Sequence, residues 1–125
     1  MIGKQTSKAE ELRQRTKRFA LRVVTLCRSL PKTEEASVID RQVLRSGTSV
    51  AANYRAGCRA RSKAEFISKT GIVVEEVDET VFWLELLVEA GIIPKEKMED
   101  LLMEAEELVA IFAASQKTAK SRIDD

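Results

Sequence analysis

The sequence predicts an all-α domain, an up-down-up-down antiparallel four-helix bundle, on three observations. Its 125 residues include only five Gly and two Pro, too few for the many turns of a sandwich or barrel. The chain is rich in Ala, Leu, Glu, Lys and Arg, which are strong helix formers. Apolar residues recur at helical spacing in four stretches with short connections between them, and short connections make successive helices antiparallel neighbours. One domain, 1–125, is long enough to enclose a core.

The first helix, about residues 8–30, is drawn by Leu12, Thr16, Phe19, Val23, Leu26, Cys27 and Leu30, which fall on one face; the pattern starts near Ser7 and stops at Pro31. Thr33 can cap the second helix, 34–58, whose inner face reads Ile39, Val43, Ser46, Val50, Asn53, Tyr54 and Gly57. That face is small and polar, which permits close packing, but Gln42, Ser46, Ser49 and Asn53 need hydrogen-bond partners where they are buried.

Ser62-Lys63-Ala64-Glu65 is a capping box, so the third helix is expected over 62–90, with Gly91 as its left-handed end. Pro94 suits the first turn of a fourth helix, 94–116, with Glu96, Glu99 and Asp100 at its positive dipole end and Leu101, Ala105, Leu108 and Phe112 as its inner stripe. The polar tail after about Gln116 is expected to fray.

The third helix has more apolar residues than one face can bury. Phe66, Val73, Val74, Val77, Val81, Leu84 and Val88 complete its inner face, while Ile72, Phe82, Trp83 and Leu86 project from the other side. A Trp-centred apolar patch of this kind marks an oligomer interface.

Several function classes are excluded or disfavoured. Histidine is absent, which removes the usual general base, the commonest transition-metal ligand and any Ser-His or Cys-His nucleophile pair. Cys27 and Cys58 form no CxxC and read as small packed hydrophobes in a reduced, cytoplasmic chain. No apolar run approaches the ~18 residues of a membrane span, and the basic N-terminus lacks the apolar core of a signal peptide. Glu76-x-x-Glu79 and Glu104-x-x-Glu107 have the spacing of the paired carboxylates that hold Mg²⁺ in all-α nucleotide pyrophosphohydrolases. Their helical directions do not converge, so no catalytic residue, metal site or cofactor is assigned.

The formal net charge of +1 hides a polar chain. Residues 1–63 hold 15 Lys/Arg against 5 Asp/Glu, a net +10, and residues 64–125 hold 6 against 15, a net −9. Arg41, Arg45, Arg55 and Arg59 align opposite the core face of the second helix, in a stripe about 27 Å long at the helical rise. Arg15, Arg18 and Arg22 cluster on the first helix, and Arg59, Arg61 and Lys63 surround the start of the third, where free N–H groups and the dipole favour phosphate. Basic faces with few aromatics suit the phosphate backbone of RNA or DNA. They equally suit the acidic helices of a neighbouring subunit, and such a heterologous contact closes into a ring.

The segment Gln42-Val43-Leu44-Arg45-Ser46-Gly47-Thr48-Ser49-Val50-Ala51-Ala52-Asn53-Tyr54-Arg55-Ala56-Gly57, followed by Arg61-Ser62 and Ala64-Glu65-Phe66, resembles the bacterial four-helix-bundle proteins encoded in intervening sequences of 23S rRNA genes. That family was once labelled ribosomal protein S23 and includes the accessory proteins of diversity-generating retroelements. The likeness spans roughly residues 10–115; the chain departs from it at Ala56, where many members carry Glu, and at Glu75-Glu76-Val77-Asp78-Glu79, which replaces a Gly-Ser. The resemblance implies a homopentameric ring without established catalysis and, in the retroelement branch, binding to nucleic acid and to a reverse transcriptase. The expected function is a non-enzymatic homo-oligomer whose basic face binds nucleic acid. The alternative is an assembly or adaptor protein whose charged faces serve only subunits or an unidentified protein partner.

Overall fold

The structure, a computed structural model, describes residues 7–123, so Asp124 and Asp125 at the end of the expected polar tail lie outside it. Four helices follow one another: α1 (Lys8–Arg28), α2 (Glu34–Cys58), α3 (Lys63–Glu89) and α4 (Lys95–Ile123). Each of the first three starts on a side-chain cap. Ser7 accepts from the Glu10 N–H at 3.1 Å, Thr33 from Ala36 at 3.3 Å and Ser62 from Glu65 at 3.1 Å. The Glu65 carboxylate reaches back one residue further than a capping box requires and accepts from the Arg61 N–H. Gly91, at φ +73°, ends α3 as its sequence position predicts.

Sequential helices pack side by side, with α3 between α2 and α4, while α1 and α4 touch only sparsely. This central place resolves the surplus of apolar residues on α3. Val73, Val77, Leu84 and Leu87 are fully buried, and Val74, Val81, Trp83, Leu86 and Val88 pack around them, because α3 has a helix on either flank. Phe19, Val23, Val43, Val50, Leu108 and Phe112 complete the core from the other helices, with the Tyr54 and Phe112 rings 5.0 Å apart.

The polar edge of α2 is satisfied in two ways. Asn53 donates to the Ser49 carbonyl and hydroxyl on its own helix. Ser46 donates to the Gln42 carbonyl and accepts from Thr80 of α3 at 2.9 Å, a buried hydroxyl pair across the seam. Beside it, α1 and α2 touch through Gly47, where a Cβ would stand 2.8 Å from Val23 Cγ2.

The last helix differs from expectation. Instead of fraying after Gln116, α4 continues to Ile123. Its last turns are rich in Ala and Lys, and Gln116 crosses over Gly71 to donate to the Ile67 carbonyl at 3.1 Å, which ties this segment to α3.

Candidate nucleic-acid interface

Antiparallel packing gathers the starts of α1 and α3 and the ends of α2 and α4 at one end of the bundle. The charge asymmetry along the chain becomes an asymmetry along the bundle axis. Residues 8–14, 55–69 and 113–122, all at this end, hold 10 Lys/Arg and 3 Asp/Glu; the rest of the described chain holds 10 and 15. Like charges gathered at one end sum into a positive potential there.

The expected arginines separate into two groups. Arg15 is half-buried and donates to both oxygens of Glu104, at 2.8 and 2.7 Å, and to Glu107 at 3.0 Å. Hydrogen bonding by Arg15, reinforced by its charge, holds the Glu104 carboxyl below its ordinary range against the opposing effect of burial. Arg45 bridges Glu76 and Glu79 of α3, with Nη1 3.2 Å from Glu76 Oε2 and Nη2 bonded to Glu79. The two Glu-x-x-Glu pairs are thus each clasped by one arginine on a different helix, and part of the complementarity expected between subunits is satisfied inside the chain. Among the described residues, no group of three or more His, Cys, Asp or Glu is placed to hold a metal.

Arg18, Arg22, Arg41, Arg55, Arg59, Arg61 and Lys63 are exposed. Arg55, Arg59, Arg61 and Lys63 stand together at the basic end, Arg18 lies along α1 toward it, and Arg22 and Arg41 lie outside it. The stripe on α2 is therefore interrupted at Arg45, which is engaged with α3.

Two clefts open at the basic end. The larger, of about 840 Å³, runs between α1, α4 and the α2–α3 connection. Lys8, Arg13, Arg61, Lys63 and Arg122 line it, and no carboxylate among the described residues does. The smaller, of about 520 Å³ between α1 and α2, shares Arg13 and adds Lys17 and Arg55, with Glu10 as the one acid among its described lining residues. Lys8, Arg13, Lys17 and Arg122 were not among the residues singled out from sequence. Their signal was available in the topology, because an antiparallel bundle brings the first turns of α1 and the last turns of α4 beside Arg59–Lys63.

At the proposed oligomer face, Ile72, Trp83 and Leu86 are half-buried, the last two against the core, and Phe82 is 53% exposed. The Trp83 indole N–H donates to Glu79, and Phe82 packs edge-on against the Trp83 ring at 4.8 Å. Both cysteines are free, Cys27 buried and Cys58 half-buried. No described helix is long and apolar enough to cross a membrane.

The model of the 23S rRNA-intervening sequence proteins matches residues 8–114, from the first turn of α1 well into α4. The chain belongs to that family. This 23S rRNA-intervening sequence protein is also similar to a solved structure, a protein with unknown function from the S23 ribosomal protein family of Bacteroides thetaiotaomicron. The two share 34% identity over 89% of this chain and 99% of that one, with a TM-score of 0.82. No curated protein matches the sequence. The family match includes the arginine clasps on both Glu-x-x-Glu pairs and the α2–α3 connection; Lys117, Lys120 and Arg122 lie beyond it.

Proposed function

We propose that this protein is a non-enzymatic, homo-oligomeric helical bundle, a pentameric ring in the cytoplasm, that binds RNA or DNA through the phosphate backbone. The supporting observation is the basic end, where residues 8–14, 55–69 and 113–122 hold 10 Lys/Arg and 3 Asp/Glu. Arg55, Arg59, Arg61 and Lys63 are exposed there, so they are available to phosphate oxygens at little desolvation cost. The start of α3 adds the positive end of its dipole, while the opposing ends of α2 and α4 carry Arg55, Lys120 and Arg122 in their last turns. Arg15 and Arg45 belong to the scaffold rather than the binding surface, because each already carries two carboxylate partners.

Self-association is supported by Phe82, a large aromatic side chain left 53% exposed beside Trp83. An electrophoretic mobility assay at low salt tests the binding. Wild-type protein is expected to shift RNA or DNA of unrelated sequences alike, Arg59→Glu with Lys63→Glu to abolish the shift, and Arg45→Ala to preserve it. A wild type that shifts neither nucleic acid, yet assembles through its charged faces, favours the assembly or adaptor protein instead.

A further inference from the structure

The larger cleft has two chemistries in one place. Its lip carries Lys8, Arg13, Arg61, Lys63 and Arg122, and its wall is apolar, with Leu12, Tyr54, Phe66 and Ile111. Tyr54 is almost completely buried against Phe112, whereas Phe66 is half-buried at the start of α3, one turn from Ser62 and Lys63. The remaining wall is α4's Ala114, Ser115, Thr118 and Ala119, small residues that leave the space between α1 and α4 unfilled. Gln116, bonded to the Ile67 carbonyl, holds this wall against α3.

A phosphate alone needs only the lip. An apolar wall under a cluster of cations, with no acidic residue among the described lining, fits an anion that carries a flat, weakly polar body. The cleft volume of about 840 Å³ is within the range of sites that enclose small organic groups, roughly 300–1,000 Å³. A nucleotide has this form, with a π-faced base joined to a phosphate. In a blunt duplex the base is stacked and paired, so only the backbone can reach the lip.

Building on nucleic-acid binding by the basic end, we propose that this cleft receives one unpaired nucleotide of a single strand. The base lies against Phe66 and the aliphatic wall, and its flanking phosphates rest on Arg61, Lys63 and Arg13. The protein therefore prefers single strands, or strands with an unpaired end, over blunt duplex. Contact of a base with an aromatic face tolerates any sequence, so the preference is for strand state rather than for a base.

Fluorescence anisotropy with a short labelled RNA, alone and annealed to its complement as a blunt duplex, tests this. Wild type is expected to bind the single strand roughly tenfold more tightly than the duplex, the scale of one base–aromatic contact. Ala119→Trp, which fills the cleft and keeps every cation, is expected to remove that advantage and leave duplex binding unchanged. Phe66→Leu, which keeps the apolar volume, should lose part of it while retaining the helical circular dichroism of wild type. Equal, salt-dependent affinities for both forms, or an unchanged advantage in Ala119→Trp, would overturn the cleft assignment and leave the basic end standing. Failure to bind either form would overturn both.

Discussion

Arg15 and Glu104 meet through two hydrogen bonds, 2.8 and 2.7 Å long, which clasp α1 to α4, two helices that touch only sparsely. The Glu104 carboxyl is held below its ordinary value, first by Arg15's hydrogen bonds and then by its charge. A carboxylate whose folded value is depressed stabilises the fold above its unfolded value, about 4.3 for Glu, and that contribution disappears as pH falls through the folded value. Arg15→Met, which keeps the packing of the side chain's stem, should therefore lower the urea midpoint at neutral pH and flatten its decline below about pH 4.5. Superimposable pH profiles for the two proteins would show that the clasp contributes nothing.

Gly47 permits the close approach of α1 and α2. Alanine at an ordinary helical position gains about 1 kcal/mol over glycine. Here its Cβ would stand 2.8 and 2.9 Å from the two Val23 methyls, a clash with a short, β-branched side chain that has little freedom to move. Gly47→Ala is expected to destabilise by about 1–3 kcal/mol in chemical denaturation. Combined with Val23→Ala it should cost less than the sum of the single changes, because the new methyl then occupies space the valine vacates.

At the start of α3, Ser62→Ala removes the acceptor of the Glu65 N–H and should cost roughly 1 kcal/mol, whereas Ser62→Asp should be nearly neutral. The carboxylate of Glu65 stays on the Arg61 N–H in either variant, so its contribution is unchanged between them. An equal loss in both would place the cap elsewhere.

Phe82→Glu tests the apolar face of α3 with little risk to the fold, since Phe82 is more than half exposed while Trp83 packs on the core. Light scattering of wild type is expected to give a multiple of 14.0 kDa, five being the favoured number, and Phe82→Glu should shift it toward monomer with its helical dichroism intact. A monomeric wild type at micromolar concentration would rule out self-association through this face.

Much of the fold was legible because local chemistry and period agreed. Ser7, Thr33 and Ser62 mark helix starts, Gly91 marks an end, and the inner faces of α1 and α2 follow their 3.6-residue period. The surplus on α3 was less legible, because a single-faced pattern cannot reveal that a helix has neighbours on both flanks; Trp83 and Leu86 are packed within the chain for this reason. The extent of α4 depended on a long-range bond, Gln116 to Ile67, that no local pattern signals. Charge divides along the chain, where residues 1–63 are basic, but antiparallel topology sorts it along the bundle axis instead. Hence Arg45 belongs to a clasp with Glu76 and Glu79, and Arg13 and Arg122 belong to the basic end.

The central claim, that the open arginines of the basic end hold phosphates, is tested most directly by the slope of log K against log salt for a short single-stranded RNA. Each phosphate contact removed flattens that slope by about 0.7 on a single strand. Arg59→Ala with Arg61→Ala is expected to weaken binding about equally across sequences and to flatten the slope by roughly one to two. Arg45→Ala, already neutralised by Glu76 and Glu79, should leave the slope unchanged. Wild-type binding that is absent, or whose slope is the same in all three proteins, would contradict the account.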